Sequence, residues 1–100
     1  MDFNHLFEQA QRMSRDLEEN KSKIENQSFK LECQGDLITG SMNGKYEITD
    51  LHISDTLMED KDMLEAMLTI TLNKASKKIT EAKEDTLKSA TGGIDVSSFF

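Results

Sequence analysis

Within residues 71–83 four lysines, Lys74, Lys77, Lys78 and Lys83, stand against one acid, Glu81, a local charge of +3 in a chain whose net charge is −7. Ammonium groups so spaced do one kind of chemistry without a cofactor: they neutralise phosphate or carboxylate oxygens. Arg12 and Arg15 make a second, smaller basic pair. Taken alone, both groups read as solvated helix faces. Glu81 and Glu84 would balance the lysines, and Glu8 and Glu19 would pair with Arg12 and Arg15 at i,i+4. Residues 31–58 carry one base against five acids and make a poor surface for nucleic acid.

No other constellation carries chemistry. His5 begins a helical segment and His52 falls in a strand, each without a neighbouring motif to orient it for catalysis, so an enzyme is not expected. Cys33 cannot form an internal disulfide, and with the two histidines it falls short of a metal site. Alternating with Phe29 and Leu31, it reads as a small core hydrophobe. No phosphate-binding glycine loop is present, and Gly92-Gly93 reads as a helix stop. Neither cofactor nor small-molecule substrate is expected. No apolar run approaches 18 residues, and the N-terminus lacks the basic start and apolar stretch of a secretory signal, so a cytoplasmic protein without a membrane partner is expected.

The elements that must position these groups follow from periodicity. Phe3, Leu6, Ala10, Met13, Leu17, Asn20 and Ile24 fall at alternating steps of three and four, which predicts a helix over 3–26. From Ser28 the period becomes two: Phe29, Leu31 and Cys33 mark a first strand, turned at Gln34-Gly35-Asp36. Leu37 to Met42 is a second strand, and Asn43-Gly44 signals a hairpin with positive φ at both central positions. Tyr46 to Ile53 is a third strand, in which the slip from Tyr46/Ile48 to Leu51/Ile53 predicts a bulge near Thr49-Asp50. After the cap-type residues Ser54, Asp55 and Thr56, one helix is expected from Thr56 to about Ser89, acidic early and basic late. The fold class is therefore α+β: a three-stranded antiparallel meander between two long helices. One domain over 1–90 is expected, with a mobile tail over 91–100.

On the second helix Leu64, Leu68, Leu72, Ala75, Ile79 and Ala82 form a stripe that can cover the sheet. Met63, Met67 and Ile70 lie off that stripe. An element apolar on two sides needs two covers, and in so short a chain the second is most simply another subunit. Met63, Met67 and Ile70 are therefore candidate interface residues, and the remaining methionines read as core or interface.

Several segments together resemble the YbaB/EbfC family of nucleoid-associated proteins. They are Gln9-Ala10-Gln11-Arg12-Met13, Leu37-Ile38 leading to Met42-Asn43-Gly44, and Leu51-His52-Ile53-Ser54-Asp55. The run Leu57 to Glu65, Leu72-Asn73-Lys74-Ala75 and Lys77-Lys78-Ile79 complete them. The resemblance runs in order over roughly residues 6 to 90. It implies an αβββα chain forming a tweezer-like homodimer that binds double-stranded DNA in the bacterial cytoplasm and nucleoid, with possible roles in nucleoid organisation and gene regulation. Arg12, Arg15, Lys74, Lys77 and Lys78 become candidate phosphate contacts. The sequence departs from the family between its first two strands, where Cys33-Gln34-Gly35-Asp36 replaces a longer glycine-rich stretch. A second reading, from composition, is a small acidic dimeric protein-binding module, like a secretion chaperone, that ignores DNA.

Overall fold

The computed structural model describes residues 3–91. Helix α1 runs over Phe3–Asn26, as its steps of three and four predict despite the polar Asn20. Strands β1 (Ser28–Leu31), β2 (Ile38–Asn43) and β3 (Ile48–Ile53) form an antiparallel meander in the order β1-β2-β3. Two helices close the fold, α2 (Asp55–Met58) and α3 (Lys61–Thr91). The architecture is α+β, as expected. The tail expected beyond Thr91 lies outside the described residues.

The core lies where α3 crosses β1 and β2. Leu31, Met42, Ala75 and Ile79 form its buried cluster, with Phe29 and Leu72 packed against it. Ile38 and Leu57 extend the buried set at one end, and Ile24 and Leu87 lie buried where α1 meets α3. The α3 stripe read from the sequence thus points inward. Thr71 is the buried polar residue beside it, 2% exposed.

Three local features differ from expectation, each for a physical reason. The second helix is two helices. The chain breaks at Glu59-Asp60, and Asp60 caps α3, its Oδ1 accepting the Met63 N–H at 3.1 Å and its carbonyl the Leu64 N–H at 2.9 Å. A carboxylate in that position satisfies a free N–H at the helix start and complements its dipole.

The hairpin after β2 is longer than a two-residue turn. The Tyr46 N–H bonds to the Asn43 carbonyl at 3.0 Å, the Asn43 N–H to the Glu47 carbonyl at 2.9 Å, and the residue with positive φ is Tyr46 (63°) rather than Asn43 or Gly44. The Asn43 side chain braces the loop by accepting the N–H groups of Lys45 and Glu47. Gly44 is needed for close approach: a Cβ there would stand 1.9 Å from the Ile24 carbonyl oxygen at the end of α1. In the earlier turn both Gly35 (69°) and Asp36 (54°) adopt positive φ.

Strand β1 ends at Leu31, so Cys33 is half-buried beyond it rather than a core residue. The expected bulge is present. Ser41 pairs with Asp50 and Met42 with Ile48, leaving Thr49 as the extra residue. Its hydroxyl lies 2.8 Å from that of Ser41.

Candidate nucleic-acid interface

Lys74, Lys77 and Lys78 are exposed on α3: Lys77 lies opposite Ala75 and Ile79, which the same helical turns bury against the sheet, and Lys74 and Lys78 lie on the flank between. The helix therefore holds them at fixed spacing on a rigid support. Two of the three are engaged. Lys78 Nζ donates to Glu32 Oε2 at 2.8 Å, and Lys74 Nζ stands 3.4 Å from the same oxygen. The hydrogen bond and charge of Lys78, then those of Lys74, hold the Glu32 carboxyl below its ordinary value of 4.5. Lys77 is exposed and makes no ion pair within 4.0 Å among the described residues.

One turn further on, the Lys83 ammonium sits 4.4 Å from the centre of the Tyr46 ring, while the Tyr46 hydroxyl lies 2.7 Å from that of Thr80. The hairpin tip is thereby fastened to α3, and Lys83 is partly committed to the ring face.

Arg12 and Arg15 are exposed on α1, beside a shallow polar depression shared with Glu8, Gln11, Ser14 and Glu18. Among the described residues neither closes the i,i+4 ion pair expected with Glu8 or Glu19. On the same helix Lys21 and Glu25 stand 4.0 Å apart. Leu17 and Leu87 line one groove of about 450 Å³ between α1 and α3. Neither arginine lines that groove; both open onto the separate polar depression of α1, which no α3 residue lines. The lysines form one group and the arginines another.

Reading the sequence missed Glu32 and Tyr46. Both act across 34 to 46 residues of chain, and nothing in local spacing announces such contacts. His52 pairs with Asp50 at 3.0 Å on the open surface of β3. Among the described residues no group of three His, Cys, Asp or Glu side chains is placed to hold a metal ion. Among them, too, no helix is long and apolar enough to cross a membrane.

The candidate interface residues are placed off the core. Ile70 is 66% and Met63 48% exposed, and Met67 is half-buried. Helix α3 packs on β1 and β2. Ile48 and Leu51 of β3, which pair with Met42 and Gly40 and so share the helix-facing side of the sheet, remain exposed.

A family model described as the YbaB/EbfC DNA-binding family matches residues 1–94. Among similar proteins, one named nucleoid-associated protein from Anaeromyxobacter dehalogenans is 33% identical over 98 residues, covering 96% of this chain and 95% of that protein. Another of that name, from Clostridium kluyveri, is 31% identical over 99 residues, covering 97% and 87%. A crystal structure of an uncharacterized protein from Helicobacter pylori superposes with a TM-score of 0.78 at 27% identity, covering 92% of this chain and 99% of that one.

Proposed function

The chain belongs to the YbaB/EbfC DNA-binding family, whose members include nucleoid-associated proteins, and from that premise we propose that it binds double-stranded DNA as a homodimer, chiefly through phosphates, and works in the bacterial nucleoid. The observation that carries this reading is the lysine group on α3, with Lys77 exposed between Lys74 and Lys78 on a helix whose other side is anchored in the core. In a chain of net charge −7, a duplex is approached through such a local patch and repelled elsewhere. Phosphate contacts carry no direct sequence information, so binding is steeply salt-dependent and weakly selective. Arg12 and Arg15 supply a second set of contacts further along the molecule. Pairing two chains through Met63, Met67 and Ile70 doubles each set. Ordering of the nucleoid and effects on transcription follow from coating or bridging duplexes in this way.

The test is the combined variant Lys74→Gln, Lys77→Gln, Lys78→Gln, titrated with unrelated duplexes across a salt series. The expected result is weaker binding to every sequence, with the slope of log K against log [salt] shallower by about 0.9 for each phosphate left without its lysine. These side chains lie on the exposed face, so the fold should hold, with stability changed by no more than about 0.5 kcal/mol. Unchanged binding and slope in a folded variant would move the phosphate contacts to Arg12 and Arg15. A wild-type protein that fails to shift any duplex at low salt would overturn the DNA reading.

A further inference from the structure

Glu32 lies just past the end of β1 and reaches across to α3, where one of its oxygens, Oε2, meets both Lys78 Nζ at 2.8 Å and Lys74 Nζ at 3.4 Å. The two ammonium groups come from successive turns of the helix and converge on that single atom. An anionic oxygen between two cationic donors is also what a DNA backbone phosphate would place there. We propose that Lys74 and Lys78 form a two-lysine site for a backbone phosphate, which the Glu32 carboxylate fills in the free protein as an intramolecular competitor.

This rests on the phosphate-binding reading above and names the ion pairs that must break first. All three side chains stay about half exposed, at 55% for Lys74, 44% for Lys78 and 48% for Glu32. A phosphate can therefore replace the carboxylate by side-chain rotation alone. Lys77 stands outside the clamp and meets a duplex first. The arrangement discriminates by charge density. A single small anion gains little by exchanging places with a carboxylate already in position. A duplex, with one charge per ~1.7 Å of axis, engages Lys77 and its neighbours together and outcompetes one glutamate. The clamp thus favours polyanions over free phosphate or mononucleotides.

The experiment compares the wild type, Glu32→Gln, Asp36→Asn, the double variant Lys74→Gln/Lys78→Gln, and that double variant carrying Glu32→Gln. Each is titrated with one labelled duplex at several salt concentrations. Asp36→Asn is the control for net charge: it removes the same charge from the same loop, at a left-handed position (φ 54°) that Asn tolerates. Glu32→Gln should raise affinity roughly three- to tenfold at low salt while leaving the salt slope little changed, because both lysines meet phosphates in either complex once the carboxylate is displaced. Asp36→Asn should produce a far smaller gain, and in the Lys74→Gln/Lys78→Gln background the effect of Glu32→Gln should shrink to that level. Equal gains from Glu32→Gln and Asp36→Asn, or a gain that survives without the two lysines, would overturn the competitor while leaving DNA binding intact. Absence of duplex binding by every protein, wild type included, would overturn the DNA reading and the competitor with it.

Discussion

At the scale of single residues, the ionisation of Glu32 reports the clamp directly. Its two lysine partners stabilise the charged form, so its folded-state value lies below the ordinary 4.5. For a depressed carboxyl, the linked contribution to stability is full above the ordinary value and disappears as pH falls through the lowered one. From neutral pH down past 4.5 the clamp should therefore stay closed, and protonation should release both lysines only as pH falls through the lowered value. Following the Glu32 side-chain carboxyl carbon by NMR should give a midpoint below 4.5 in the wild type and a return toward 4.5 in Lys74→Gln/Lys78→Gln. A wild-type midpoint at or above 4.5 would deny the clamp in solution. These ion pairs are too exposed to matter much for folding; under the competitor proposal, their influence is on which anion the lysines hold.

At the scale of elements, what was legible follows the physics of each signal. Helix α1 could be bounded from its periodicity because its steps of three and four run from Phe3 to Ile24 with one polar break, at Asn20, and no glycine or proline. The bulge at Thr49 was visible because an inserted residue reverses the in–out alternation, moving it from Tyr46/Ile48 to Leu51/Ile53. The break between α2 and α3 was hidden for the opposite reason. Leu57 and Leu64 are seven residues apart, one heptad, so the apolar stripe keeps its phase across the interruption and looks continuous.

The hairpin was legible as a hairpin but not in its type. Asn43-Gly44 is read by habit as a demand for positive φ, whereas Gly44 is required by the α1 backbone beside it, a tertiary fact. Gly44→Ala puts this to the test. A Cβ pressed against the Ile24 carbonyl has no flexible neighbour to displace, so the change should destabilise the protein by about 1–3 kcal/mol, as overpacking does. Urea denaturation measures it; a neutral substitution would mean that α1 and the hairpin separate freely.

At the scale of the whole molecule, the fold is long and thin, 69 × 20 × 17 Å. Such a shape cannot cover its own apolar faces. The α1 seam outlasts the core, leaving Phe3 and Leu6 exposed with Phe7 beside them, while Ile48, Leu51, Met63 and Ile70 are left open around the sheet and α3. Large apolar side chains left exposed in this number suit an interaction site better than open water. A second copy was the cover inferred from residues 63–70 alone. Replacing Met67 and Ile70 together with Asp should yield monomers or aggregates in sedimentation velocity. A folded double variant that sediments as a dimer would place the interface elsewhere, with β3 the next surface to alter. The lysine group was legible as a cluster because helical spacing gathers it. Its distance from Arg12 and Arg15 was not, because that depends on how two helices cross.

The hairpin tip touches both helices at once: Gly44 lies against the last turn of α1, and Tyr46 is fastened to α3 through Thr80 and Lys83. It therefore acts as a rivet between two rods, setting the interval between the arginine and lysine groups before any duplex arrives. Folding has already met the entropic cost of orienting the rods. What remains to be immobilised on encounter is the side chains themselves, about 0.5–1.5 kcal/mol apiece. On the proposed reading, weak individual phosphate contacts would then add up, because the scaffold that presents them does not have to be ordered again each time.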